Sequence, residues 1–359
     1  MAKNKNLNAA ARAKKDEFYT RLEDIERELK YYRPFFKNKT VLCNCDDPYE
    51  SNFFQYFAMN FEALELKKLI ATCYDGSPVA GTQLSLFDTP VENPQERKAF
   101  KVEINSVKDL NKDGAIDLVD VELLIKTEKN VLTMLEGNGD FRSAECIELL
   151  KQADVVVTNP PFSLFREYVA QLIKYDKKFL IIGNINCITY KEIFPLIKAD
   201  KIWLGESIHS GDREFRVPDY YPLEAATCGI NEDGIRFIRI KGVRWFTNIK
   251  IEKFREDIPL FREYYKTPEM FPRYDNYDAI EVSHTADIPE DYFGVMGVPI
   301  TFLDKYNPAQ FEILGHTSSN DLSPEVEALR TDPKNRNRGI IDGQQKYDRI
   351  LIRRRAQDD

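Results

Sequence analysis

The sequence lacks several features that define specialised classes of protein. It has no apolar run close to the ~20 residues that a membrane-spanning helix needs. It has three histidines and no CxxC pair among its six cysteines, which argues against a zinc cage and against a disulfide framework. Residues 1–15 are polar and basic without an apolar segment, unlike a secretory signal. We therefore expect a cytoplasmic protein with reduced cysteines and no membrane contact.

The chain also lacks the overall positive charge that is typical of many nucleic-acid-binding domains. Its formal net charge is -8, yet basic residues cluster in residues 1–15, 236–244 and 330–355. Such clusters either contact phosphates or are simply solvated, and the composition leaves both interpretations open. With 359 residues, 43% of them hydrophobic and 31% charged, the chain is long enough for two globular domains.

The most informative stretch is residues 154–162, which read Asp-Val-Val-Val-Thr-Asn-Pro-Pro-Phe. Three consecutive valines predict a buried strand. The two prolines must end that strand because they cannot donate to a sheet ladder. The result is a rigid Asn-Pro-Pro loop (residues 159–162) at the carboxyl end of a strand, where open α/β sheets bind ligands. An ordinary Asn-Pro turn is the alternative that these four residues alone leave open.

A loop of this kind suits methylation of the exocyclic amine of adenine. The lone pair of that amine is delocalised into the ring, and two acceptors that bind its hydrogens would free it. The Asn159 side-chain oxygen and the Pro160 carbonyl are the candidate acceptors. Pro161 stiffens the loop, and Phe162 can stack on a base rotated out of the helix. We therefore predict catalysis by positioning and electrostatics, without a covalent intermediate.

Strand and helix patterns alternate from residue 40 to about residue 204 and predict an α/β fold with a doubly wound, mostly parallel sheet. Residues 77–98 are rich in proline, threonine and glutamine and are expected to form an exposed excursion. Proline-punctuated sequence after residue 250 places a domain boundary near residue 255. The predicted domains are residues 1–255 and 256–359.

Acidic residues follow three predicted strands, at the same sheet edge as the Asn-Pro-Pro loop. Asp46 and Asp47 follow the first strand, Asp75 the second, and Asp140 the third, where Phe141 comes next. Carboxylates here can accept from ribose hydroxyls, an ammonium group or an adenine amine, and Phe141 can stack on adenine. Aspartates also cap helices, so each alone is weak support. The ordered set favours a methyl donor that contains adenosine, although the usual glycine-rich turn after the first strand is missing.

Several segments resemble the EcoRI-type adenine-specific DNA methyltransferases, namely residues 16–20, 43–48, 51–53, 159–162, 245–248 and 297–303. The resemblance implies S-adenosylmethionine as cofactor, the sheet of the S-adenosylmethionine-dependent methyltransferases, and adenine N6 in double-stranded DNA as target. It implies that Phe18, Tyr19 and Thr20 fold back to hold the cofactor. It also suggests restriction-modification, with an endonuclease that acts on the same site without a stable complex. It does not fix the recognition sequence.

The DNA contacts are predicted in two regions of the chain. Residues 209–216 are interpreted as a loop near the target base, with Phe215 as a second stacking partner and Arg216 beside it. A core position is the more frequent role for such a phenylalanine. The region 256–359 is assigned to target recognition, including the segment 339–355. The alternatives are an RNA adenine or a protein glutamine as methyl acceptor, or a DNA-binding relative without catalysis.

Residues 109–120 match a calcium loop. Glycine stands at the sixth loop position, and the twelfth is aspartate where an EF-hand has glutamate, as in dockerin-type loops. The alternative is a hydrated acidic turn that caps a helix starting near Leu118. A structural calcium site is predicted here, with these residues as its candidate ligands: Asp109, Asn111, Asp113, Ala115 through its carbonyl, Asp117 and Asp120.

The calcium prediction is tested by the Asp113→Ala variant. Because Asp113 supplies a central ligand, the variant should bind calcium more weakly and lose the calcium-dependent rise in melting temperature. Calorimetric titration and thermal unfolding, each with calcium and with a chelator, measure both quantities. A variant that binds calcium and melts as the wild type does would contradict the prediction.

Overall fold

The computed structural model divides the chain into two compact units. One comprises Met1–Ile185 and Gly205–Ile249, and the other comprises Asn186–Leu204 and Lys250–Asp359. The predicted excursion at residues 77–98 lies outside the described residues. The structure describes residues 18–45, 51–73, 99–127, 131–217, 221–251, 256–318, 321–332 and 338–356.

Helices and strands are numbered in chain order through both units. The helices are α1 Leu22–Leu29, α2 Asn52–Met59, α3 Leu118–Thr127, α4 Ala144–Gln152, α5 Phe165–Lys174, α6 Phe194–Lys198 and α7 Pro324–Leu329. The strands are β1 Tyr19–Thr20, β2 Thr40–Asn44, β3 Lys68–Cys73, β4 Phe100–Ile104, β5 Leu132–Met134, β6 Val155–Thr158, β7 Lys178–Asn184, β8 Trp203–Leu204, β9 Asp212–Arg216, β10 Cys228–Ile230, β11 Arg236–Lys241, β12 Val243–Thr247, β13 Ile280–Glu281, β14 Val295–Pro299, β15 Phe311–His316, β16 Ile340–Ile341, β17 Gln344–Gln345 and β18 Arg349–Arg354.

Seven strands of the first unit form a mixed sheet in the order β5-β4-β3-β2-β6-β7-β12. The four central strands β3, β2, β6 and β7 are parallel to one another. The outer strands run antiparallel, β4 against β3, β5 against β4, and β12 against β7. The fold is therefore α/β with a parallel centre, and the carboxyl ends of the central strands share one edge of the sheet.

The central strands are mostly apolar and are buried at nearly every position, as is typical of parallel strands at the centre of a sheet. Val155, Val156 and Val157 of β6 are completely buried, as the run of valines predicted. Helices α2, α4 and α7 each begin after a serine. The Ser143 hydroxyl accepts from the Cys146 N–H at the start of α4, at 3.2 Å, and so satisfies one of the free donors of its first turn.

A second sheet of the first unit has the order β1-β9-β11-β10. Tyr19 of β1 pairs with Arg216 of β9, and Thr20 pairs with Phe215, in antiparallel register. The prediction of a loop at residues 209–216 was therefore wrong for Asp212–Arg216, which is strand β9. Within β9 only Phe215 is apolar and buried, and one apolar residue shows no alternation that would indicate a strand.

The second unit contains a four-stranded sheet in the order β13-β14-β18-β15 and the separate hairpin β16-β17. Its core includes Tyr274, Tyr277, Ile341 and Leu351. Glu281 is buried there, and Arg349 donates to its carboxylate from Nε at 2.9 Å and from Nη2 at 2.6 Å. A buried charge must be paired in this way to be tolerated.

All six cysteines are free, and Cys43, Cys73, Cys146 and Cys187 are buried. Among the residues that the structure describes, no helix is long and apolar enough to span a membrane.

Close packing at Gly183 of β7 provides a test of the fold. An added Cβ would lie 2.5 Å from the Phe165 ring and 3.0 Å from the Phe246 ring. Gly183→Ala should therefore lower the free energy of unfolding by about 1–3 kcal/mol, the usual cost of overpacking. Urea denaturation measures it. Gly137→Ala is the matched control, because its nearest neighbour would be 3.9 Å away. Equal losses in the two variants would contradict the packing described here.

Candidate active site

The Asn-Pro-Pro loop leaves the carboxyl end of β6, at the centre of the parallel strands. Asn159 and Pro160 are buried, whereas Pro161 and Phe162 are half-buried. A 3-10 turn over Phe162–Leu164 follows, closed by a 2.9 Å hydrogen bond from the Leu164 N–H to the Pro161 carbonyl. The predicted end of the strand at the prolines is thus confirmed.

The Asn159 amide is fixed at one end and unsatisfied at the other. Its Nδ2 donates to the Phe18 carbonyl at 2.5 Å. Its Oδ1 is buried and has no hydrogen-bond partner. A buried acceptor without a partner costs roughly 1–3 kcal/mol, and such atoms call for an explanation. Because Nδ2 is held by Phe18, Oδ1 is the end of the amide that the described residues leave unsatisfied.

The Phe-Tyr-Thr segment lies beside this loop. Strand β1 holds Tyr19 and Thr20 against β9, and the Asn52 side chain donates to the Thr20 carbonyl at 2.7 Å. The Thr20 side chain is 3% exposed, and its Oγ1 has no hydrogen-bond partner. The segment therefore brings a second unsatisfied buried oxygen to the region of Asn159.

Four aromatic side chains surround the start of the loop. The Phe18 ring centroid lies 5.8 Å from Phe162, 6.0 Å from Phe215 and 6.1 Å from Tyr221. Phe162 also meets Phe215 edge-on at 6.3 Å. Phe215 is 1% exposed, so it occupies a core position, but that core supports Phe162. Arg216 is exposed, with its guanidinium 5.8 Å from the Tyr19 ring centroid.

A buried polar network ties the ends of β2 and β6 together. The Thr158 hydroxyl donates to the Asn44 carbonyl, and the Tyr168 hydroxyl donates to Asn44 Oδ1. Burial raises the pKa of Tyr168 well above its ordinary value, so the phenol stays a neutral donor. Sequence reasoning missed Tyr168, which carries no signal beyond its place on the apolar face of α5.

The predicted acid at the third strand end is held by a neighbouring arginine. Arg142 donates to Asp140 Oδ1 from Nε at 2.9 Å and to Oδ2 from Nη2 at 2.6 Å. These hydrogen bonds hold the pKa of Asp140 below its ordinary value and keep the carboxylate ionised. The Phe141 ring is 7% exposed and packs edge-on against Tyr168, with centroids 5.0 Å apart.

Other predicted residues are placed differently. Asp46 and Asp47 lie outside the described residues. In the basic cluster at residues 236–244, Arg236 donates to the Tyr221 carbonyl at 2.7 Å, and Arg244 is buried, where it donates to the carbonyls of Val243 and His209. These two arginines serve local structure, whereas Arg239 and Lys241 are exposed.

The loop at residues 109–120 is ordered by its own backbone. Asp120 is buried, and its carboxylate accepts from the N–H groups of Leu110 at 2.7 Å, Asn111 at 3.1 Å and Asp117 at 3.0 Å. Across the described parts of the chain, no three His, Cys, Asp or Glu side chains gather in a way that could hold a metal. This arrangement fits the alternative of an acidic capping turn, and calcium binding stays a prediction.

Comparison with known proteins identifies the family. Residues 6–355 match the family described as adenine-specific methyltransferase EcoRI. The chain belongs to this family. It is 49% identical over 314 residues to the type II methyltransferase M.EcoRI of Escherichia coli, which covers 87% of this chain and 89% of that protein. The match confirms the resemblance that the motifs indicated. Members of this methyltransferase family use S-adenosylmethionine.

Two further relatives come from mycoplasmas. M.MpnI of Mycoplasma pneumoniae is 36% identical over 356 residues, and M.MgeORF184P of Mycoplasma genitalium is 34% identical over 355 residues. Each alignment covers 97% of this chain and 98% of the relative. Both are named type II methyltransferases. No solved structure matches the chain.

The Asp140–Arg142 pair predicts that the stability of the folded state depends on pH. A carboxylate whose pKa is lowered by folding stabilises the folded state above its ordinary pKa of 3.8, and that contribution is lost as the pH falls below 3.8. In the Arg142→Ala variant the pKa of Asp140 should rise towards 3.8. Carboxyl NMR titration measures it. Arg21→Ala, which removes an exposed arginine that does not bind Asp140, is the control, and an unchanged pKa in Arg142→Ala would contradict the assignment.

Proposed function

We propose that this chain transfers the methyl group of S-adenosylmethionine to N6 of an adenine in double-stranded DNA, after that base has rotated out of the helix. Membership of the adenine-specific family supports the reaction. The observation that supports the residue assignment is the buried, partnerless Oδ1 of Asn159.

Asn159 and Pro160 are the proposed acceptors for the target amine. Asn159 Oδ1 accepts one N6 hydrogen and the Pro160 carbonyl accepts the other, which draws the nitrogen towards tetrahedral geometry and localises its lone pair. The Phe18 carbonyl fixes the amide, so Nδ2 cannot turn towards the target amine. That amine donates hydrogen bonds and therefore needs an acceptor. The acceptors are in place before the substrate arrives, so no reorganisation is required during the reaction.

Phe162 is the proposed stacking partner of the flipped base. Its ring is half-buried, so one side is supported by Phe18 and Phe215 while the rest stays accessible. Stacking on an aromatic ring offsets part of the cost of removing a base from the helix. Arg216 follows Phe215 on the exposed side of β9, and we assign it to the substrate as a contact for a DNA phosphate.

The cofactor is assigned to the carboxyl edge of the parallel strands. When bound, S-adenosylmethionine supplies an electrophilic methyl group. The partnerless Thr20 hydroxyl and the ionised Asp140 carboxylate fit the polar groups of that molecule. Phe141 contributes an apolar wall. The residues proposed to hold the cofactor are Phe18, Tyr19, Thr20, Asp46, Asp47, Asp140 and Phe141.

We also propose how catalysis and target recognition are divided along the chain. Residues 1–255 carry catalysis, residues 256–359 recognise the target, and helices cover both faces of the central sheet in a doubly wound arrangement. The names of the relatives support a restriction-modification role, in which an endonuclease acts on the same site without a stable complex. Protein glutamine as acceptor has no support from an adenine-specific family. Competition between DNA and RNA for labelled methyl groups would separate the two nucleic-acid acceptors.

The role of Asn159 is tested by Asn159→Ala. Removal of one preorganised acceptor should slow methyl transfer by about a hundred-fold or more, while S-adenosylmethionine binds as in the wild type. Labelled-methyl transfer and calorimetric titration measure the two quantities, and single-molecule sequencing of modified bases locates the product. Asn105→Ala, at an exposed asparagine after β4, is the matched control. Wild-type turnover in Asn159→Ala would reject the assignment.

A further inference from the structure

The hairpin of the second unit is a rigid ribbon. Ile340 pairs with Gln345 and Ile341 pairs with Gln344, in antiparallel register. The two residues between the strands, Asp342 and Gly343, have φ values of 52° and 72°. Positive φ at both positions is the two-residue turn whose twist matches that of the flanking strands. The tip of the ribbon is therefore a defined turn.

Two neighbouring polar side chains anchor this hairpin at both ends. Asp275 Oδ2 accepts from the Gly343 N–H at 2.9 Å, close to the tip. Asn276 Oδ1 accepts from the Ile340 N–H at 2.8 Å, and its Nδ2 donates to the Arg338 carbonyl at 3.0 Å, close to the base. A hairpin of this length is not stable alone, so these bonds hold its position on the unit.

The base of the hairpin is also seated in the core. Ile341 is 6% exposed and belongs to the core cluster with Tyr274. Gly339 lies so close to the Tyr274 ring that a Cβ there would be 2.5 Å from it. Arg338 and Asp348 form a 2.7 Å ion pair that links the segments before and after the hairpin. Side chains presented by the ribbon are therefore held in place by a rigid scaffold.

The ribbon presents two uncharged amides and one carboxylate to solvent, and an exposed tyrosine follows it. Gln344 and Gln345 are both exposed, as is Asp342 at the tip. Tyr347 follows directly and is 78% exposed. Lysine and glutamate would be the ordinary choice for a ribbon that is only solvated. Tyrosine is enriched at interfaces, and glutamine is a residue type that binds base edges in DNA.

We propose that this hairpin reads base edges in the major groove of the DNA target, with Gln344 and Gln345 as the specificity-determining residues. The inference rests on the proposed function, in which DNA is the substrate. The major groove admits a two-stranded ribbon, and a glutamine side chain binds adenine N6 and N7 with two hydrogen bonds. Tyr347 flanks these contacts, and the Asp342 carboxylate can accept from cytosine N4 at the tip.

The experiment uses the full chain with Gln344→Ala, Gln345→Ala and the double variant. Each is assayed on the wild-type target and on a library of random DNA, with modified bases located by single-molecule sequencing. At least one single variant should lower kcat/KM on the target by about ten- to a hundred-fold, the value of one bidentate base contact. The same variant should accept other bases at a fixed position of the methylated motif. Gln152→Ala, at the exposed end of α4, is the matched control.

The outcomes separate the inference from the function on which it rests. Melting temperature and S-adenosylmethionine binding should not change, because both glutamines are exposed. A double variant that keeps the wild-type motif overturns the inference, whether its kcat/KM is unchanged or reduced, since a reduced value with the same motif means backbone contact only. Failure of the wild type to methylate DNA overturns the proposed function itself, and the inference with it.

Discussion

The hydrogen bond from Asn159 Nδ2 to the Phe18 carbonyl decides which end of the amide faces the site. It joins residues that are 141 positions apart in the chain. Without it, rotation of the amide by half a turn would exchange a strong acceptor for a donor, and the loop would no longer be complementary to an amine. The same bond places the Phe-Tyr-Thr segment, and through β1 it positions β9 and the aromatic cluster around Phe162.

The site is held together by packing, which offsets the unsatisfied polar atoms that it contains. Two buried oxygens without partners, on Thr20 and Asn159, each cost roughly 1–3 kcal/mol. The surrounding structure bears this cost because Phe18, Phe215 and the valines of β6 are almost completely buried. A polar network through Tyr168 fixes the neighbouring strand end. Rigid surroundings of this kind allow a fold to keep buried acceptors without partners.

Local sequence predicts the parts of this fold that depend on local physics. The valine run predicted β6, and the two prolines predicted where it ends. Strand direction was not predictable, because β4 and β12 are antiparallel only through pairings with distant strands. Tyr168 was missed for the same reason, since its role appears only when α5 lies beside Asn44. The asparagine, the prolines and Phe162 were predicted as a site, but the Phe18 contact that orients Asn159 was not.

In the β16–β17 hairpin, the residues that stabilise the fold are different from the residues that are exposed to a partner. Asp275, Asn276 and Gly339 serve the scaffold, so replacing any of them disturbs the fold. Gln344 and Gln345 contribute nothing to the core, so their identity can drift at little cost in stability. A lineage that carries this scaffold can therefore diversify at two positions while the first unit stays unchanged. Each new pair of side chains is then exposed to selection without first passing through a poorly folded ancestor.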